Sequence, residues 1–360
     1  MKLHWNDLWE EAPSLTPEKT PLDHDRIRAL VRERTKIKRR PLRLFCRGLA
    51  AAAIVCAFVV SASAAVHFLT AGDFFADYFS TLEEGPLSEG QMDAINEIGT
   101  LFPAEGYTDH GVTITPLAAL ADEHVYYLRL RITGPEGTVI PPGENDTDGW
   151  YQLFSPENMM SLEVPENVYQ RMGWSSTTQW VDAVPGDNEI EVVLILMAQS
   201  NTDLCFNDGV SKILHLSGPY LQSPDKGYIP IYSGSWDLDI GTHFESQTLS
   251  LDAEGLTRED PVFGAITLQQ VELSPLSMTC KYSYEQDGME GDRLVLPSLN
   301  PGLSVVLQDG TVLEPDQGTG SSTSERTSEG YLLFSAPVDL DQVAYIQFGD
   351  HQIPLTKSES

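Results

Sequence analysis

The chain has 360 residues, enough for one long or two ordinary domains, and at 41% hydrophobic and 21% charged it has a globular composition. Its net charge of −31 is unevenly spread: residues 1–48 hold twelve Lys/Arg against seven Asp/Glu, a net of +5, which leaves −36 on the remainder. A surface that acidic repels nucleic acid and anionic polymers, so no direct nucleic-acid binding is predicted.

The basic segment carries two helix signals. Trp5, Leu8 and Trp9 fall at i, i+3 and i+4 and form an apolar patch on one helical turn. Thr20-Pro21-Leu22-Asp23 has the order of a helix start, and a helix from there to about Arg40 gathers Ile27, Leu30 and Val31 on one face before Pro41 stops it. Too little chain lies here to bury two tryptophans. They either dock on a cytoplasmic protein partner or lie in the lipid headgroup layer, where Trp is enriched.

Leu49–Leu69 (LAAAAIVCAFVVSASAAVHFL) has no formal charge. At 1.5 Å per residue it spans about 30 Å as a helix, the thickness of a bilayer core. Arg26 to Arg47 holds ten basic residues and one acid, Glu33, whereas no Lys or Arg follows the apolar run until Arg129. By the positive-inside rule residues 1–48 are cytoplasmic, 49–69 a transmembrane helix, and the acidic remainder extracellular at the plasma membrane. The competing reading is a cleaved signal peptide ending near Ala64, after Ala62-Ser63. The 48-residue basic lead with its own helix signals favours a retained anchor in contact with membrane lipid.

Beyond the membrane, Phe74, Phe75, Tyr78 and Phe79 have helical spacing within Asp73–Glu84, and Ser88 can cap a second helix through about Ile98. Residues 70–104 are thus read as a helical stalk or packed collar. From Gly111 the pattern is β: Val112–Thr115, Val125–Ile132 and Glu189–Met197 (EIEVVLILM), the last carrying a continuous apolar run as in a strand buried on both faces. Trp236–Ile240, Ile266–Leu273, Met278–Tyr284, Leu303–Leu307, Tyr331–Phe334 and Val343–Phe348 follow, with Asp309-Gly310 as a hairpin turn and Gly318–Gly330 as a flexible loop. The expected fold class is mainly β, with two sandwich modules at 105–232 and 233–360 and no long repeat of fixed period. Cys205 and Cys280 both fall on the exported side, where either a disulfide or two thiols is chemically allowed.

The runs Gln91–Asn96, Asp109–Thr115 and Ala121-Asp122-Glu123, followed by Gly234–Leu238, Val271–Ser277, Gln308–Thr311 and Phe334–Leu340, form a pattern. It resembles Gram-positive bacterial single-pass membrane proteins with an immunoglobulin-like ectodomain of unknown function. The resemblance covers nearly the whole chain and implies an anti-sigma-factor-like regulator of an extracytoplasmic-function sigma factor. The tail lacks the zinc-binding His/Cys cluster that some anti-sigma factors carry.

No G-x-S-x-G, H-E-x-x-H, Walker A or G-x-G-x-x-G occurs in the exported region, and the eight histidines are scattered without ligand spacing. Each His is read as structural. Glu144–Gly149 places oxygen ligands at alternate positions before a Gly, as calcium loops do, but the first position is Glu and the twelfth is Ser155. The sequence therefore predicts no enzyme, no catalytic residue, no cofactor and no metal. It predicts a regulatory or sensory protein with an extracellular ligand, whose tail engages a partner, such as a sigma factor, through Trp5, Leu8, Trp9, Ile27, Leu30 and Val31. The alternative is a surface-anchored binding or structural module whose tail only fixes topology.

Overall fold

The computed structural model describes residues 70–355 except 83–84, 104, 139–149, 154–159, 167, 169, 182–186, 200–201, 224–226, 242–245, 291–292, 296–299, 316 and 323–325. The tail with Trp5, Leu8, Trp9, Ile27, Leu30 and Val31, the apolar run 49–69 and the acidic stretch Glu144–Gly149 lie outside the described residues. Among the described residues no helix is long and apolar enough to cross a membrane.

Two helices come first, α1 (Ala71–Leu82) and α2 (Glu89–Glu97). Thr70 and Asp73 exchange hydrogen bonds at the start of α1. At α2 the side chain of Ser88 accepts from the Gln91 amide while the Gln91 side chain accepts from the Ser88 amide, a full capping box.

The first module contains β1 (Gly99–Leu101), β2 (Tyr107–Asp109), β3 (Val112–Ala121), β4 (Val125–Thr133), β5 (Trp150–Gln152) and β6 (Ser161–Glu163). It continues with β7 (Trp174–Trp180), β8 (Glu189–Ala198), β9 (Ile213–Leu216), β10 (Tyr220–Ser223), β11 (Gly227–Pro230) and β12 (Trp236–Asp239). The main sheet runs β1-β3-β4-β8-β7 with β2 also on β3, and the smaller sheets are β12-β9-β6 and β11-β10-β5. Asp109 pairs with Val112 across a two-residue loop in which His110 and Gly111 have φ of 49° and 80°, the primed turn that matches strand twist.

The second module contains β13 (Leu249–Leu251), β14 (Thr257–Asp260), β15 (Gly264–Leu273), β16 (Ser277–Tyr284), β17 (Gly288–Glu290) and β18 (Arg293–Val295). Then come β19 (Leu303–Leu307), β20 (Val312–Leu313), β21 (Gln317–Ser322), β22 (Thr327–Leu333), β23 (Val343–Phe348) and β24 (His351–Ile353). Its main sheet runs β13-β15-β16-β22-β21 with β14 also on β15, opposite β20-β19-β23-β24; β17 pairs with β18. All pairings in both modules are antiparallel.

The two main sheets share one topology, a repeat that the sequence reading missed. Both β3 and β15 have ten residues, and each shifts register near its middle, between Pro116 and Ala118 and between Leu268 and Gln270. One extra residue inverts the alternation of a strand. Hence Val112 and Ile114 share a core with Ala119 and Ala121, and Ile266 and Leu268 share a core with Val271 and Leu273.

The strand β8 is buried on both faces, as its apolar run predicts. Ile190, Val192, Leu194 and Leu196 enter the core shared with β9 and β12, while Val193, Ile195 and Met197 face Phe75, Phe79, Ile95 and Ile98 of the helical layer. The helices therefore pack as a collar on the sheet; they do not stand away as a stalk. Burial of Phe75 and Phe79 contributes about 2 kcal/mol each. Arg129, on the same face, donates to the Phe74 carbonyl, to Asp77 at 2.7 Å and to Glu191 at 2.8 Å.

Two further expectations are corrected. Trp236–Asp239 belongs to the first module: it pairs with β9, and Trp236, Leu238 and Ile240 lie in that core, so the first module extends past 232. The stretch 318–330 is largely a strand pair, β21 with β22, because backbone pairing needs no bulky side chains and β22 supplies the partner. Asp309-Gly310 does form the hairpin turn between β19 and β20. No disulfide joins Cys205 and Cys280; Cys280 is in the second core, where burial pushes its thiol up to about 12.

Replacing Arg129 by Ala removes the guanidinium that joins Asp77 of α1 to Glu191, while Arg131 still holds the other oxygen of Glu191 at 2.7 Å. The expected cost is about 2 kcal/mol, that of lost hydrogen bonds to charged groups, because Glu191 stays paired. Hydrogen exchange should show amides of Ala71–Leu82 losing protection before those of β4 and β8; uniform loss would mean the clamp does not hold the helix.

Candidate functional site

The turns β3–β4 and β15–β16 are built alike and meet each other. In each, the first residue donates its amide to the carbonyl of the fourth, Asp122 to Val125 at 3.0 Å and Ser274 to Ser277 at 2.8 Å. The side chain of that first residue accepts from the turn amides. Asp122 Oδ1 takes His124 at 2.8 Å and Val125 at 2.6 Å, and Ser274 Oγ takes Leu276 at 3.2 Å and Ser277 at 2.9 Å. Across the junction, the hydroxyls of Ser274 and Ser277 both donate to Asp122 Oδ2 at 2.5 Å. Asp122 is 5% exposed, so these four bonds replace its water.

Beside this node the structure gathers Glu123, His124 and Glu272, whose ligand-type atoms all lie within 4.8 Å of one another. His124 Nε2 lies 3.6 Å from Glu272 Oε2, and the imidazole packs against Tyr331 with ring centroids 4.9 Å apart. Glu272 accepts from Gln270 at 2.9 Å and from Ser250 and Thr279 at 3.2 Å each, and Glu123 accepts from Ser246 at 2.7 Å. Burial lowers the His124 pKa, but Glu272 beside it and the charges of Asp122 and Glu123 reverse that effect and raise it above the ordinary value. Conversely His124, the largest cause, holds Glu272 down at about 2 against the opposing effect of burial.

The helical layer spans the same junction. Leu276, Leu333 and Ala336 of the second module join the cluster formed by α1, α2 and the outer face of the first sheet. The Gln91 side chain donates to the Pro337 carbonyl at 2.9 Å, and a Cβ at Gly90 would sit 1.8 Å from Asp339 Oδ2, so any larger residue there would have to displace that carboxylate. A cleft of about 510 Å³ between α2 and the Asp339–Gln342 turn carries Asp93, Glu97, Asp339 and Asp341.

A second His-carboxylate group lies away from the junction. On the outer face of β6-β9-β12, His215 Nδ1 is 2.6 Å from Asp237 and Nε2 is 3.2 Å from Glu163. Asp237, the largest cause, and then Glu163 raise the His215 pKa against slight burial.

None of these residues has a motif in the sequence. Glu123-His124 and Glu272 are joined only by the meeting of two turns, and the sequence signal for them is that Glu123 and Glu272 fall within the runs Ala121–Glu123 and Val271–Ser277 of the pattern described above. No family model matches the chain and no curated protein matches it. One similar solved structure is the crystal structure of the conserved domain protein from Bacillus anthracis, at 14% identity and a TM-score of 0.45, covering 69% of this chain and 76% of that one. That degree of likeness carries no argument.

Asp122→Ala strands two turn amides and two serine hydroxyls, and the expected cost is at least about 3 kcal/mol. Calorimetry should show one unfolding transition resolving into two as the modules uncouple; a single unshifted transition would refute the role of the node. The His215 cluster has a pH signature. Its raised pKa gives stability that is full below the unfolded value of about 6.5 and lost as pH rises through the folded value. His215→Gln should therefore lower the melting temperature at about pH 6 and leave it nearly unchanged at about pH 9, by less than about 1 kcal/mol because the site is mostly exposed.

Proposed function

We propose that this chain is a single-pass plasma-membrane regulator. Residues 1–48 are cytoplasmic, 49–69 span the bilayer, and two immunoglobulin-like β-sandwiches sense an extracellular ligand. The observation that carries this reading is the directness of the connection. Only Thr70 separates the apolar run from α1, and α1 is bound along its buried face to the first sheet and by Arg129. The same helical layer touches Leu276, Leu333 and Ala336 of the second module. A change at the junction therefore has a packed route to the start of α1, with no loose linker within residues 71–82 to absorb it. The charge asymmetry of the two ends supports the orientation. Two layers around each core support the sandwich reading.

On the cytoplasmic side, Trp5, Leu8 and Trp9 with the Ile27, Leu30 and Val31 face engage a protein partner, an extracytoplasmic-function sigma factor by the resemblance. Truncating such aromatic anchors costs about 2 kcal/mol, a loss in affinity of roughly 25-fold. In cells, Trp5→Ala/Trp9→Ala should lose co-purified partners and alter target transcription, whereas Lys38→Ala/Arg39→Ala, which meets anionic lipid, should disturb orientation first. If the tryptophan variant keeps its partners and its transcript profile, the tail is only an anchor and the chain is a surface-held binding module. External protease should digest the region beyond residue 100 and spare a tag at Met1; the reverse pattern would overturn the topology.

A further inference from the structure

We propose that Glu123, His124 and Glu272 form a divalent transition-metal site, of the zinc type, that ties the two modules together. The inference stands independently of the regulatory reading.

Geometry carries it. The 3.6 Å between His124 Nε2 and Glu272 Oε2 is too long for a hydrogen bond. It is close to the roughly 3.4 Å that separates two ligands held about 2.1 Å from one tetrahedral cation. By contrast, His215 meets its two carboxylates at 2.6 and 3.2 Å, distances that a proton fills. The atoms of Glu123 complete the triad within 4.8 Å, and a fourth position is left for water or a ligand group.

The surroundings hold the three groups as ligands are held. Glu272 is fixed by Gln270, Ser250 and Thr279, and Glu123 by Ser246. Their backbones are fixed as well, since Phe206 donates to the Glu123 carbonyl at 3.1 Å and Ala198 to that of His124 at 2.8 Å. The Tyr331 ring packs against the imidazole. Two carboxylates next to a third, Asp122, concentrate negative charge around one imidazole in a half-buried place, which a doubly charged cation offsets. One nitrogen with two oxygens favours zinc over calcium or magnesium. Because His124 and Glu123 come from the first module and Glu272 from the second, the bound ion is a cross-link.

The test is calorimetric titration of the purified 360-residue chain with zinc chloride, with calcium chloride in parallel. Wild type should bind a single junction zinc and gain melting temperature, with added exchange protection at both turns. His124→Ala and Glu272→Gln should lose that site, Ser250→Ala should weaken it about 10-fold, and His215→Gln should retain it. Should a variant fail to fold, cobalt substitution of the wild type decides: tetrahedral absorption with a shifted His124 ring resonance supports the site. No zinc binding by wild type, unchanged binding in a folded His124→Ala chain, tighter binding of calcium, or cobalt spectra that leave His124 unshifted would each overturn the proposal.

Discussion

The carboxyl group of Asp122 is the constraint on which the rest of the junction depends. One oxygen shapes its own turn by accepting two amides, and the other receives two hydroxyls from the opposite turn. Buried at that point, an acceptor left without these donors is costly, so each turn is held in shape by the other. Everything nearby inherits that register. His124 is carried to Glu272, Leu276 is placed in the helical layer, and Tyr331 is brought onto the imidazole. The interface thus joins local turn chemistry to the mutual position of whole sheets.

The helical layer sets the other boundary condition. A sheet exposed to water on one side would show alternation along β8, but both of its faces are covered. The second face is covered by α1 and α2, and the polar pair on that face, Arg129 with Glu191, is turned to use as a clamp on α1. The first sheet consequently serves as the platform for the helices on one side and for β9 and β12 on the other.

How much of this was legible in the sequence depended on the range of the interaction. EIEVVLILM read as a doubly buried strand because hydrophobicity at every position from Val192 to Met197 leaves no solvent face there, and Ser88 read as a helix start because an N-cap is local. Gly318–Gly330 read as a loop because small polar residues carry no burial signal, yet β21 and β22 need only backbone partners. Trp236 was placed in the wrong module because apolar patterning marks a strand without naming its partner, β9. The shared topology of the two main sheets was invisible for a related reason. Of β3 and β15, little beyond Ile114-Thr115 and Ile266-Thr267 matches in residue type, although both strands shift register at the same place. The triad was hidden most deeply, since its members belong to different modules and meet only through folded turns.

The likeness of the two turns has a consequence for association between copies. Surfaces built on the same plan invite each module to pair with its own kind in another molecule. Such self-pairing of the first turn would set Asp122 against Asp122, two buried acceptors with no hydroxyl between them, while pairing the second with itself would leave serines without their carboxylate. Only the unlike pair, Asp122 with Ser274 and Ser277, satisfies every group, so the bonds that close the junction discourage like-with-like pairing of the modules between chains.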